Sequence, residues 1–224
     1  MAGGRELRRQ ILLACGVVAS FWYVAMNVVV PLRWKGYSLA SRVVSELSAI
    51  DAPTRALWVP LGAIYTLLMI AFGCGVWASA QRHRALRIAG ALMVVYSVIG
   101  LFWPPMHQRE VLAAGGATLT DTLHIVWSVA WVLFMLLAIA FAAAGLGRRF
   151  RAYSIVTLVI LVGFGALTGS EGPRISANLA TPLIGVWERI NIGVVMVWVV
   201  VLAVRLWRPE DTAEASPPQE SLIW

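Results

Sequence analysis

The side chains able to do chemistry fall into four short segments. In Thr118–Ser128 (TLTDTLHIVWS), Asp121 and His124 stand at i, i+3 and share a helix face, with Ser128 one turn further on. A carboxylate beside an imidazole fixes its tautomer, raises its basicity or shares a metal with it. The plainer reading is a hydrogen-bonded interfacial histidine, with Thr118 and Asp121 as the capping box of a helix. In Ser41–Ile50 (SRVVSELSAI), Ser41, Ser45 and Ser48 recur at helical spacing, Arg42 and Glu46 pair at i, i+4, and Val43, Val44, Leu47 and Ile50 are apolar. That pattern predicts a short amphipathic helix at the membrane surface. In Thr181–Gly193 (TPLIGVWERINIG), Thr181 reads as an N-cap and Pro182 as the first helical residue. At ~1.5 Å per residue, Glu188 then lies about 9 Å and Asn191 about 13 Å into a helix. The fourth segment, Trp103-Pro104-Pro105-Met106, is a rigid turn that carries His107 and Arg109.

An ionisable residue at membrane depth must face protein or a water-filled cavity, and is a candidate functional group by default. The expected partners of Glu188 are Arg42, Arg109 or a histidine. Arg189, its neighbour about 100° round the helix, is expected to meet an acid such as Glu46 or Asp121. The chemistry this suggests is general-base catalysis by His124 oriented by Asp121, with Glu46 as acid or second base and Glu188 beside them. Ser45, Ser48, His107, Arg109, Arg189 and Asn191 would bind the ligand, an arginine recognising a phosphate or carboxylate. A metal variant would hold zinc on His107, His124 and Asp121 with one position open to water. No HxxxH pair supports it, and no other cofactor is expected. The competing reading is an ion-pair network that only ties helices together.

The elements that must position these groups are membrane spans. Of 224 residues, 60% are hydrophobic and 13% charged, half the charged share of ordinary soluble domains, about 25%. This excludes a cytosolic globule and a disordered polymer. Six apolar stretches, 11–30, 58–78, 86–103, 123–146, 152–168 and 183–207, approach or exceed the roughly 20 residues needed to cross a bilayer as helices. No alternating segments suggest a β-barrel. The predicted fold is all-α: a polytopic six-helix bundle, with the amphipathic helix between spans one and two, forming one domain over 1–208. Asp51-Ala52-Pro53 reads as the start of span two, and Gly165 with Gly169 as a small-residue packing motif.

Charge sets the direction. Arginines crowd the N-terminus (Arg5, Arg8, Arg9), the loops at 82–87 and 148–151, and the end of span six. With six spans these lie on one side, the cytoplasm, so both termini are expected on the cytoplasmic side of the plasma membrane. The net charge of +7 is therefore topological and implies no nucleic acid. Glu46, Glu110, Asp121, Glu188, His107 and His124 gather on the other side. Cys15 and Cys74 lie in apolar runs, and Leu12–Cys15 has too short an apolar stretch before it for a lipoprotein cleavage site. The Pro- and acid-rich tail 209–224 reads as a disordered cytoplasmic end.

Four pieces in this order carry a resemblance: Ser45-Glu46-Leu47-Ser48, Phe102-Trp103-Pro104-Pro105-Met106-His107, Thr120-Asp121-Thr122-Leu123-His124 and Trp187-Glu188-Arg189-Ile190. Together they resemble the uncharacterised membrane family called domain of unknown function 998, which implies a six-helix bundle and no established activity. The family more often has an acid after its Phe-Pro turn; here that role would pass to His107 or Glu110. A looser likeness to membrane proteins that remodel or handle lipids is an analogy toward lipids. The function expected is binding of, or action on, an amphiphilic lipid-like molecule in a polar pocket at the extracytoplasmic face, with membrane lipids as partners. The alternatives are a structural or partner-binding membrane protein and a proton-coupled transporter.

Overall fold

The structure, a computed structural model, describes residues 2–207; the expected tail 209–224 lies outside them. The described residues form helices α1 (Ala2–Val29), α2 (Arg55–Ser79), α3 (Arg84–Leu101), α4 (Arg109–Ala113), α5 (Leu119–Gly145), α6 (Arg148–Ser170), α7 (Gly172–Ser176) and α8 (Ile184–Trp207), with no strand. Six of them, all but α4 and α7, are long and apolar enough to cross a membrane, and each coincides with one expected span. The protein is an all-α polytopic membrane bundle. Its helices follow one another round a ring: α1 packs on α2, α2 on α3, α3 on α5, α5 on α6, α6 on α8, and α8 back on α1.

Lipid removes the hydrophobic drive for helices to associate, so packing and small residues must supply it. They do so between α1, α2 and α3. A Cβ on Gly90 would lie 2.5 Å from the Trp77 backbone nitrogen, and one on Gly75 2.9 Å from Leu12. The Gly165–Gly169 motif does not play this part. A Cβ on Gly165 would meet only Asn191, at 3.7 Å, and one on Gly169 would meet nothing. The α6–α8 contact is pinned by polar groups instead, the buried Trp198 indole donating to Ser154 Oγ at 3.0 Å.

The two ends of the ring differ. At the arginine-rich end, Arg9 ties three helices, donating to the Leu206 carbonyl (2.6 Å) and Ser79 Oγ (3.3 Å) while pairing with Glu6. The other end is covered by a lid made of residues 30–54, 102–118 and 171–183. Here the expected amphipathic helix is replaced by a single 3-10 turn, Val44–Ser48, whose Val44, Glu46 and Leu47 are buried. Its backbone bonds outward rather than along a helix. Thr54 Oγ1 donates to Leu47 O at 2.7 Å, Arg55 donates to Ser48 O, and Ile50 N–H donates to Met106 O at 2.8 Å. For the same reason α2 begins at Arg55 after Thr54, not at Asp51-Pro53. Asp51 is exposed in the left-handed region, φ 60°.

Gly90→Ala should lower stability by about 1–3 kcal/mol through overpacking, read as thermal unfolding in detergent. Gly163→Ala, where a Cβ meets nothing within 4 Å, should be neutral. Equal effects would contradict the close α2–α3 approach.

Candidate functional site: a carboxylate beneath an ion-paired lid

Glu46 is completely buried, so its charge requires partners on all sides. It has four donors. Arg109 grips both carboxylate oxygens (Nη2–Oε1 2.5 Å, Nε–Oε2 3.2 Å), Arg42 Nη1 reaches Oε2 at 2.8 Å, and the Val43 N–H reaches Oε1 at 3.2 Å. The expected Arg42–Glu46 pair is therefore made. Arg109 is itself buried and also donates to Thr181 Oγ1 (3.2 Å) and Ser41 O (3.3 Å). Thr181 Oγ1 donates to that same carbonyl at 2.8 Å. Thr181 thus does not cap α8; it fastens the α7–α8 connection to the lid. Arg42 ends on the half-exposed Glu110 at 2.9 Å. Partial burial raises the Glu110 carboxyl, but the backbone at the start of α4 and Arg42 outweigh this and hold it below the ordinary carboxylate range.

The first turns of α8 enter directly under the lid backbone. Gly185 N–H donates to Ala40 O at 2.8 Å, and a Cβ on Gly185 would collide with the carbonyls of Leu39 and Arg42. Arg189 does not meet an acid, as expected from sequence. It meets carbonyls, those of Leu39 (2.8 Å), Gly185 (3.0 Å) and Arg42 (3.2 Å), and its Nη2 donates to Tyr37 Oη at 3.0 Å. Tyr37 passes the link on to Val43 O at 2.9 Å. Burial pushes its phenol up to about 12, even with Arg189 beside it. Tyr37 is thereby held as the neutral donor this link needs.

The remaining expected groups separate. Asp121 does close the capping box with Thr118 at the start of α5. Its other partner is His107, through the backbone N–H (2.7 Å) and ring Nδ1 (2.9 Å). His124 lies one turn deeper, and its Nδ1 bonds the Pro104 carbonyl at 2.8 Å. A carbonyl only accepts, so Nδ1 carries the proton and Nε2 is the acceptor. The Pro104-Pro105 turn is what takes Asp121 from His124 and gives it to His107. The expected Asp121–His124 dyad is therefore replaced by two separate contacts. Among the described residues no three His, Cys, Asp or Glu side chains are grouped to hold a metal ion, so His107, His124 and Asp121 do not form the suggested zinc set. Ser48 turns back on Ser45 O (3.0 Å), and Ser45 meets Met106 Sδ (3.4 Å).

Glu188 is different. Its partner is neither Arg42, Arg109 nor a histidine. Oε2 accepts the Val44 N–H at 2.5 Å, and among the described residues no cationic nitrogen lies within salt-bridge distance of it. Glu188 is partly buried. Tyr23 on α1 is likewise partly buried and packs on Tyr65, ring centroids 4.4 Å apart. Asn191, one turn below Glu188, has a buried Oδ1 with no hydrogen-bond partner among the described residues, as has Arg189 Nε.

The family model for Protein of unknown function (DUF998) matches residues 17–205. The chain belongs to that family. All four resembling segments lie inside the matched range. No curated protein and no solved structure matches the chain. In this DUF998 member the two residues expected after the Pro-Pro turn make separate contacts, Glu110 with Arg42 and His107 with Asp121. Sequence reasoning missed Tyr23, Tyr37 and Gly185. Only Gly185 left a trace: a glycine in the first turn of a helix weakens it unless another backbone presses against it.

Arg109→Ala should cost about 3–5 kcal/mol by stranding a buried carboxylate, whereas Glu110→Gln at the exposed end of the same chain should cost under ~1 kcal/mol. Detergent thermal unfolding distinguishes them, and similar losses would contradict the buried lock. Because the Glu110 carboxyl is depressed, its contribution is present above the ordinary value of 4.5. It should fade only as pH falls below that through the folded value, and the Glu110→Gln variant should lack this acid limb.

Proposed function

We propose that this DUF998 protein sits in the plasma membrane with both termini cytoplasmic and receives the polar head of an amphiphilic, lipid-like molecule beneath its lid. The uneven distribution of arginine between the ends supports the orientation. The observation that supports the binding reading is Glu188, a partly buried carboxylate on a membrane-spanning helix that accepts one lid N–H and has no salt-bridge partner among the described residues. An ionisable group kept at such depth without a protein counter-charge is costly unless it serves a site.

The two main sequence readings fall on different residues. Glu46, Arg42 and Arg109 form the lock that holds the lid, with both Glu46 oxygens engaged. Glu188, Tyr23 and Asn191 are the groups offered to a ligand. Arg109 and Arg189, the candidates for an anionic head, are engaged by Glu46 and by lid carbonyls. An amphiphile suits the place because Glu188 lies among membrane helices, where a tail finds lipid and a head finds the carboxylate.

Native mass spectrometry of the detergent-purified protein tests this. One amphiphile per chain should persist through delipidation and fall by about tenfold or more in Glu188→Gln, the loss expected for one charge-assisted hydrogen bond. No retained amphiphile, or equal retention by the variant, would overturn it.

A further inference from the structure

At the arginine-rich end, opposite the lid, α6 presents positive charge that the protein leaves unmatched. An open groove of about 430 Å³ there is lined by Arg148, Arg151, Ala152 and Ile155. These residues stand at i, i+3, i+4 and i+7, so they share one face of the helix, with two cations above two apolar side chains. Other arginines of this end are occupied: Arg9 pairs with Glu6, and Arg87 donates to the Gln81 carbonyl and covers the Trp77 ring. Arg148 and Arg151 are exposed, and among the described residues no carboxylate lies within salt-bridge distance of either. Arg151 is nevertheless held in place. Its Nε donates to the Ala143 carbonyl in the last turn of α5 at 3.3 Å, and its two Nη groups have no acceptor among the described residues.

Below the arginines the same face stays apolar and open. Ile155, Val159 and Val162 are 51%, 67% and 59% exposed. From Arg151 to Val162 the helix rises about 16 Å, close to half of the roughly 30 Å hydrocarbon core, which is the depth one acyl chain reaches. Guanidiniums match phosphate oxygens in geometry as well as charge, and basic pockets beside membrane helices take anionic lipid head groups. We infer that this groove binds an anionic phospholipid, its phosphate on Arg148 and Arg151 and one acyl chain along Ala152, Ile155, Val159 and Val162. A zwitterionic lipid would bring a second, cationic group to the two arginines. The groove lies at the other end of the bundle from Glu188, and the inference does not rest on the binding proposed beneath the lid.

The test uses the full-length protein in detergent and three probes, read by native mass spectrometry: phosphatidylglycerol, phosphatidylcholine with the same acyl chains, and glycerol phosphate as a head group without a tail. Phosphatidylglycerol should bind saturably and about tenfold or more tighter than phosphatidylcholine, and glycerol phosphate at matched concentration should not displace it. The double variant Arg148→Gln with Arg151→Gln should lose that preference. Arg5→Gln with Arg8→Gln, which removes the same charge from exposed positions on α1, should keep it. If the α6 double variant fails to fold, Arg148→Gln alone, at an exposed side chain, should lower the preference several-fold. Equal affinity for the two lipids, an unchanged preference in the α6 variants, an equal loss in the α1 variant, or displacement by glycerol phosphate would each overturn the assignment.

Discussion

A carboxylate removed from water must be matched nearly completely, and in this bundle Glu46 is that carboxylate. Its match is two guanidiniums and a backbone N–H, drawn from the residues just before the 3-10 turn and from α4. Through Arg109 and Thr181 the pairing reaches the start of α8, so one buried acid fixes three stretches of chain that are distant in sequence. The lid is therefore a framework of hydrogen bonds over the ring of helices. A small apolar cluster accompanies it, Ala49, Ala52 and Met106 against Trp34, Leu112 and Ile175.

The same demand shapes what is left over. Because the arginines of the lid converge on Glu46 and on lid carbonyls, Glu188 enters beneath them with a single N–H for company. Gly185 makes this possible. Without a side chain, the first turn of α8 slides under the carbonyls of Leu39 and Arg42 and brings Glu188 to Val44. Elsewhere glycine does a plainer job, letting α1, α2 and α3 approach closely where lipid offers no drive to associate. The two uses together give a tight half of the ring, α1 to α3, and a lid that rests on α8.

The spans were legible in the sequence because the bilayer imposes length and apolarity on every crossing helix, and the capping box at Thr118 and Asp121 was legible because it is local. So was the local Arg42–Glu46 pair; the long-range pairings were not. Arg109 meets Glu46 across 63 positions, and His107 takes Asp121 across 14, distances set by how the loops fold over the ring. Arg189 was misread for a different reason. Its partners are carbonyl oxygens, which every residue carries and no pattern of side chains reveals. The amphipathic spacing of Ser41–Ile50 was real as a pattern, but the segment found better backbone partners in Met106, Thr54 and Arg55 than in its own helix.

The account depends on arginine being committed to Glu46 and withheld from Glu188. Double-mutant cycles on thermal stability measure that division directly, pairing Arg109→Ala with Glu46→Gln in one cycle and with Glu188→Gln in the other. A coupling of about 1.5 kcal/mol or more is expected for Arg109 with Glu46, as for other close charge pairs, and a value near zero for Arg109 with Glu188. Strong coupling of Glu188 to Arg109, or none for Glu46, would contradict it.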